Sequence, residues 1–225
     1  MIEQSGNLLQ GVLIVVGALL PIVNPLGNAP FFLALTAGET DRSRNVLARK
    51  VAVNGLFLLL AALFLGDDIL KFFGVSVPIV QTAGGLVVAG LAWKLLNQSD
   101  DTDKAPPPAS AGASEARAFY PLTLPLTVGP GSISVAIALG ANFPSTVLPF
   151  LADAASAVAG ALIVCIVTYV CYRYAEATAR LLGTSGTAVV LRLSAFIMLC
   201  IGLQIMWNGA DTLFQLSPGH LPRTR

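Results

Sequence analysis

Two clusters of helix-breaking residues hold the groups in this chain best suited to chemistry. The first is Pro21-Ile22-Val23-Asn24-Pro25-Leu26-Gly27-Asn28-Ala29-Pro30. The second is Pro121-Leu122-Thr123-Leu124-Pro125-Leu126-Thr127-Val128-Gly129-Pro130-Gly131-Ser132, about 105 residues later in a chain of 225. Proline has no N–H to give to the carbonyl four residues earlier. In an otherwise helical backbone, Pro21, Pro25 and Pro30 would leave the carbonyls of Gly17, Pro21 and Leu26 unbonded. Pro125 and Pro130 would do the same to Pro121 and Leu126. Each interruption also ends one half-helix and begins another, exposing roughly −0.5 charge at the C-terminal end and +0.5 at the N-terminal end. Freed carbonyls suit an ammonium or a metal cation, and first-turn N–H groups suit a carboxylate. Asn24, Asn28, Thr123, Thr127, Ser132 and Ser134 add neutral hydrogen-bonding groups. Such a set fits a small zwitterion or polar solute.

The ordinary alternative is that the prolines only kink helices for packing, as they often do in membranes. Two dense clusters at corresponding places in the halves favour a binding site, because interrupted segments in matching positions mark the site in secondary transporters. The expected substrate-binding residues are therefore Asn24, Pro25, Gly27 and Asn28 from the first cluster, and Thr127, Gly129, Pro130, Gly131 and Ser132 from the second. Gln81 and Gln204, bulky amides inside apolar runs, join them as cavity candidates. Asn54, Thr82, Ser194 and Asn208 read either as substrate contacts or as hydrogen-bonding glue between helices. Asp153 and Asp211 are acids inside apolar runs, but each falls close to a run's end, which weakens a proton-carrying role.

The elements that must position these residues are long and apolar. The chain is 55% hydrophobic and 11% charged, with mean hydropathy +0.77, whereas soluble domains carry about 25% charged residues. Six apolar runs, at roughly 8–37, 46–65, 75–96, 119–140, 147–172 and 188–214, each reach the ~20 residues needed to cross a bilayer. The expected fold is all-α: a polytopic membrane protein whose partner is the lipid bilayer. A net charge of +1 argues against nucleic acid as a partner. Arg42, Arg44, Arg49, Lys50, Lys94, Lys104, Arg117, Arg173, Arg180 and Arg192 fall on one side of six such spans. Lys71, Arg223 and Arg225 fall on the other. The positive-inside rule makes the first side cytoplasmic and puts both termini outside.

Three spans per half, with an odd number in each, make the halves an inverted-topology repeat with discontinuous first and fourth helices. The first repeat is expected over 1–96, a linker over 97–118, the second repeat over 119–216 and a polar tail over 217–225. A short self-match at an offset of 112, Thr82-Ala83 and Gly90-Leu91 with Ser194-Ala195 and Gly202-Leu203, points the same way. The linker is acidic and proline-rich, with Pro106-Pro107-Pro108, and reads as a cytoplasmic tether that builds no core. The leader Met1-Ile2-Glu3-Gln4-Ser5-Gly6-Asn7 has no basic residue, so the first run is expected to stay as a permanent span. Ser156 with Gly160 and Ala157 with Ala161 have small-xxx-small spacing, which suits close packing within the chain or between copies in a homo-oligomer.

Enzyme activity is not expected. There is no G-x-x-x-x-G-K-[ST] for ATP. The one histidine, His220, lies in the polar tail, and Cys165, Cys171 and Cys200 read as small hydrophobes. No cofactor or bound metal is expected from these residues.

Asn24-Pro25-Leu26-Gly27-Asn28-Ala29-Pro30, together with Pro121-Leu122-Thr123-Leu124-Pro125 and Gly129-Pro130-Gly131-Ser132-Ile133, resembles the signatures of the MarC family. That family is also called UPF0056 or the neutral amino acid transporter family, and is related to the L-lysine exporter superfamily. The resemblance covers essentially the whole chain. It implies a bacterial or archaeal inner-membrane protein and, from some family members, Na+- or H+-coupled transport of glycine, alanine and other neutral amino acids. The expected function is alternating-access transport of such a solute. A passive small-solute channel or a non-transporting membrane assembly factor is the alternative.

Overall fold

The computed structural model describes residues 8–36, 38–97, 117–144 and 146–216. Among these residues every regular element is helical and no strand occurs. The elements are α1 (Leu8–Val23), α2 (Pro25–Leu35), α3 (Asp41–Phe72), α4 (Val77–Leu96), α5 (Ala118–Thr127), α6 (Pro130–Gly140), α7 (Val147–Arg173) and α8 (Ala175–Leu216). The leader, nearly all of the linker expected over 97–118 and the tail over 217–225 lie outside the described residues.

Five helices are long and apolar enough to cross a membrane, or six if the bent pair α5–α6 is one span. The spans follow the apolar runs closely, with two extensions. Helix α3 starts at Asp41, ahead of its apolar run, because Thr40 caps it, its hydroxyl accepting the Ser43 N–H at 3.2 Å. Helix α8 starts at Ala175 and breaks at Gly183, whose φ of +65° suits only glycine well. A short helix therefore precedes the apolar span Ala188–Gln215.

The two interruptions differ in shape. At the first, one residue, Asn24 with φ +46°, separates α1 from α2, and the pair runs on as a single span, Leu8–Leu33. At the second, α5 and α6 meet at 70°. Helix α5 is wound wide: the Val128 N–H reaches the Thr123 carbonyl five residues back, at 2.8 Å. Tyr120 and Leu124, each preceding a cis proline, have extended backbone angles inside it.

Glycines set how closely the spans approach. Gly85 of α4 lies against the backbone of Gly202 and Met206 in α8, and Gly209 lies against the Pro78 carbonyl. The Gly140 backbone of α6 touches the Leu63 carbonyl of α3. Gly160 packs on Val15 of α1, while Ala157 and Ala161 are fully buried. The small-residue face of α7 is thus used within the chain, against α1. The self-match at offset 112 does not carry over to packing: Gly202 faces Ala89 and Gly85, whereas Gly90 has nothing within 4 Å.

Two packed clusters flank the interruptions. One holds Leu19, Val23, Leu59, Leu63, Val128 and Val164; the other holds Phe32, Leu47, Val51, Leu122 and Tyr172. Val23 and Val128, at the two breaks, belong to the first cluster, while Phe32 and Leu122 belong to the second. Many large apolar side chains, such as Leu13, Phe57, Leu86 and Phe196, point outward. An apolar exterior of this extent is what a bilayer covers.

Candidate functional site at the two helix breaks

Asn24 and Asn28 rebuild the hydrogen bonding that the first break interrupts. In a regular helix the Gly27 N–H would bond to the Val23 carbonyl. Here it turns to Asn24 Oδ1 at 3.2 Å. The Val23 carbonyl accepts instead from Asn28 Nδ2 at 2.8 Å. The helix is otherwise kept, since the Asn24 N–H bonds to Leu20 and the Asn28 N–H bonds to the Asn24 carbonyl. One asparagine thus takes a displaced donor and the other supplies the missing one.

The second break is satisfied by hydroxyls and by the first break. Thr123 Oγ1 donates to the Ala118 carbonyl at 2.6 Å and Thr127 Oγ1 to the Leu122 carbonyl at 2.7 Å. Ser132 Oγ and Ser134 Oγ donate to Gly129 and Gly131. The Leu126 carbonyl, which Pro130 cannot serve, accepts the second proton of Asn28 Nδ2 at 2.8 Å. Buried polar groups require such partners, since leaving one unpaired costs about 1–3 kcal/mol. A single buried side chain therefore closes a gap in each half of the molecule.

The structure buries most of the residues expected at the two breaks. Asn28 is 5% exposed, Thr127 4% and Ser132 2%, and Pro25, Gly27 and Gly131 are also buried. Gly27 is held between the Asn24 amide and Ser194 of α8, and Gly131 against Val88 of α4. Gly129 caps α6, and Pro130, its first residue, is exposed. The first-turn N–H groups of Gly131 and Ser132 have no intrahelical acceptor at this helix start.

The two glutamines fall elsewhere. Gln81 is part-exposed on α4. Gln204 is exposed on α8, where its Nε2 donates to Asn208 Oδ1 at 2.8 Å. The Gln204 amide is thus satisfied along one helix edge and does not have to point inward. Asp153 and Asp211 are both exposed, and Asp211 accepts from Gln215.

One residue outside the expected set reaches the break. Tyr172, near the end of α7, is fully buried. Its hydroxyl lies 2.9 Å from Thr127 Oγ1, and its ring stacks on Phe32 at 4.4 Å. A tyrosine next to Arg173 looks like an interfacial anchor in sequence; only the fold turns it inward.

Beyond this stack, ion pairs join the halves at one end of the bundle. Arg44 Nη1 lies 2.6 Å from Glu176 Oε2, and Arg117 Nη1 lies 3.2 Å from Glu39 Oε1. Arg117 also donates to the Leu35 carbonyl, and Arg44 to that of Glu39. Arg180 beside it, and Arg44 less strongly, hold the Glu176 carboxyl below the usual glutamate range.

The chain matches the model of the MarC family integral membrane proteins over residues 9–214. It is 30% identical over 203 residues to the UPF0056 inner membrane protein MarC of Salmonella typhimurium, covering 85% of this chain and 90% of that one. It is 28% identical over 200 residues to the UPF0056 membrane protein YvbG of Bacillus subtilis, covering 88% and 92%. The inner membrane protein MarC of Citrobacter koseri is 30% identical over 206 residues, covering 85% and 90%. No solved structure matches the chain. With its membrane-length helices and its match along nearly the full chain, the protein belongs to the MarC family of integral membrane proteins.

Proposed function

We propose that this protein is an inner-membrane secondary transporter of small neutral amino acids of the glycine and alanine kind, coupled to Na+ or H+ and working by alternating access. The observation that carries the reading is the Asn28 amide, bonded at once to Val23 and Leu126 on the two broken spans. Moving one half against the other at this point breaks the Asn28–Leu126 bond and releases one buried carbonyl and one amide proton next to the start of α6, while the Asn28–Val23 bond stays within the first half. Carbonyls accept from an ammonium, and the Gly131 and Ser132 N–H groups at that helix start favour a carboxylate. The neutral lining favours a zwitterion over an ion.

The packing supports an inverted repeat, with α1–α4 as one unit and α5–α8 as the other. Broken span α1–α2 packs on α7 and α8, and broken span α5–α6 packs correspondingly on α3 and α4; α3 meets α7, and α4 meets α8. Each of these span-to-span pairings has its exchanged partner, whereas the slighter α1–α8 and α7–α8 contacts do not. The basic residues near the starts of α3 and α5 and around the α7–α8 junction make that end cytoplasmic. Both termini are then extracytoplasmic, and Glu39–Arg117 and Arg44–Glu176 close the cytoplasmic side.

A non-transporting assembly role is favoured by one observation: every polar side chain at the breaks named above already has a partner. Uptake of labelled alanine and glycine into proteoliposomes, with imposed Na+ and H+ gradients, separates the two. Saturable, gradient-dependent uptake is expected. Absence of flux for every neutral amino acid overturns the transport reading, and flux that neither saturates nor responds to a gradient makes the protein a channel.

A further inference from the structure

Helices α3 and α7 leave between them an apolar groove of ≈ 330 Å³, lined by Ala52, Val53, Leu56, Leu162, Ile166 and Tyr169. Its one charged residue is Arg49. Arg49 is exposed and makes no ion pair or hydrogen bond among the described residues. The groove ends at a seam where the Tyr169 hydroxyl donates to Asn45 Oδ1 at 3.1 Å. Across the seam opens a second, polar cleft of ≈ 660 Å³, lined by Arg44, Asn45, Arg173, Glu176 and Arg180 with Asp41.

The register of the two antiparallel helices brackets the seam with cations. Arg49 lies one turn beyond Asn45 on α3, and Arg173 one turn beyond Tyr169 on α7. Each is therefore about 6 Å from the seam along its helix axis, and an arginine side chain spans that rise. Arg173 stacks over the Tyr174 ring at 5.7 Å and has no acidic partner among the described residues. Across groove and cleft, four guanidinium groups face two carboxylates, Asp41 and Glu176. Arg44 and Arg180 are already paired with Glu176. The uncommitted charge is on Arg49 and Arg173, on the two sides of the seam.

An outward groove in a membrane span is filled by hydrocarbon, and basic pockets between helices at the cytoplasmic leaflet attract anionic headgroups. We propose that the α3–α7 seam binds an anionic phospholipid, one acyl chain lying along Val53, Leu56 and Ile166 and the phosphate held between Arg49 and Arg173. A phosphodiester with bidentate access to two guanidiniums explains why both are left without acids. The inference is independent of what the protein transports.

The test is thermal unfolding of the full-length protein in detergent, titrated with phosphatidylglycerol, phosphatidylcholine or glycerol phosphate. Phosphatidylglycerol is expected to raise the midpoint by roughly 5 °C at a hundredfold excess over its dissociation constant. Phosphatidylcholine and glycerol phosphate are expected to raise it little. Arg49→Gln with Arg173→Gln should abolish the phosphatidylglycerol shift, and so should Val53→Trp, which fills the groove without touching a charge. Equal shifts with both phospholipids, or a shift that survives both variants, overturn the proposal. A full shift with glycerol phosphate alone also overturns it, by showing a soluble phosphate site that does not use the groove.

Discussion

Asn28 and Leu126 stand 98 positions apart in the chain and are joined by a 2.8 Å hydrogen bond from the asparagine amide to the leucine carbonyl. The carbonyl is free because Pro130 has no N–H to offer it. The same amide nitrogen serves Val23. Asn28→Ala leaves two carbonyls without that donor and is expected to cost about 2–4 kcal/mol, from ~1–2 for each. Asn28→Asp should cost more at neutral pH, because a carboxylate faces two carbonyls and donates nothing. Thermal unfolding in detergent checks both, and Asn28→Asp should recover part of its loss on acidification.

Tyr172 offers a finer probe of the same region. Tyr172→Phe keeps the stack on Phe32 and removes only the contact with Thr127, whose hydroxyl still bonds to Leu122. A loss of about 0.5–1.5 kcal/mol is expected. Tyr172→Ala opens a cavity beneath Phe32 and should cost about 3–5 kcal/mol. Similar losses for the two variants would contradict the assignment of the energy to packing.

Glycine contacts supply a matched pair of variants. In Gly140→Ala the new methyl meets the Leu63 carbonyl, a backbone group that cannot swing aside, so α3 and α6 must separate. Overpacking of this kind costs about 1–3 kcal/mol. Gly17→Ala meets nothing within 4 Å and should be neutral or stabilising by up to about 1 kcal/mol through helix propensity. The unfolding midpoint of Gly140→Ala should fall below that of the wild type, and that of Gly17→Ala should not.

The ion pairs at the arginine-rich end have a defined pH response. The Glu176 carboxyl is held low by Arg180 first and Arg44 second. A depressed pKa stabilises the fold above the unfolded value and loses that contribution as pH falls through the folded value. Glu176 therefore contributes a constant amount between pH 6 and 8 and loses it only below about pH 4. Stability curves of wild type and Glu176→Gln should run parallel near neutrality and converge in acid. Divergence between pH 6 and 8 would contradict the pairing.

The spans and both breaks were legible in the sequence because run length and proline chemistry are local. The orphaned Leu126 carbonyl was legible for the same reason. Its partner was not, since nothing local to Asn28 names a carbonyl 98 residues away. The unlike shapes of the breaks escaped as well: Asn24 absorbs the first in one left-handed residue, while the second spreads over a wide-wound α5. Gln204 illustrates the limit of reading polarity within a span. An amide in an apolar run says that it needs a partner, and Asn208 on the same helix edge supplies one. Gly90 and Gly202 show that equal residues at a constant offset need not face equivalent neighbours.

The central claim is that the Asn28 bridge between the broken spans is the point at which the solute is held. Counterflow of labelled alanine in proteoliposomes tests it most directly, using wild type, Asn28→Ala and the control Gly17→Ala at matched protein incorporation. Saturable counterflow is expected in wild type and Gly17→Ala, with at least a tenfold loss in Asn28→Ala that remains folded. Full counterflow by folded Asn28→Ala would contradict the account.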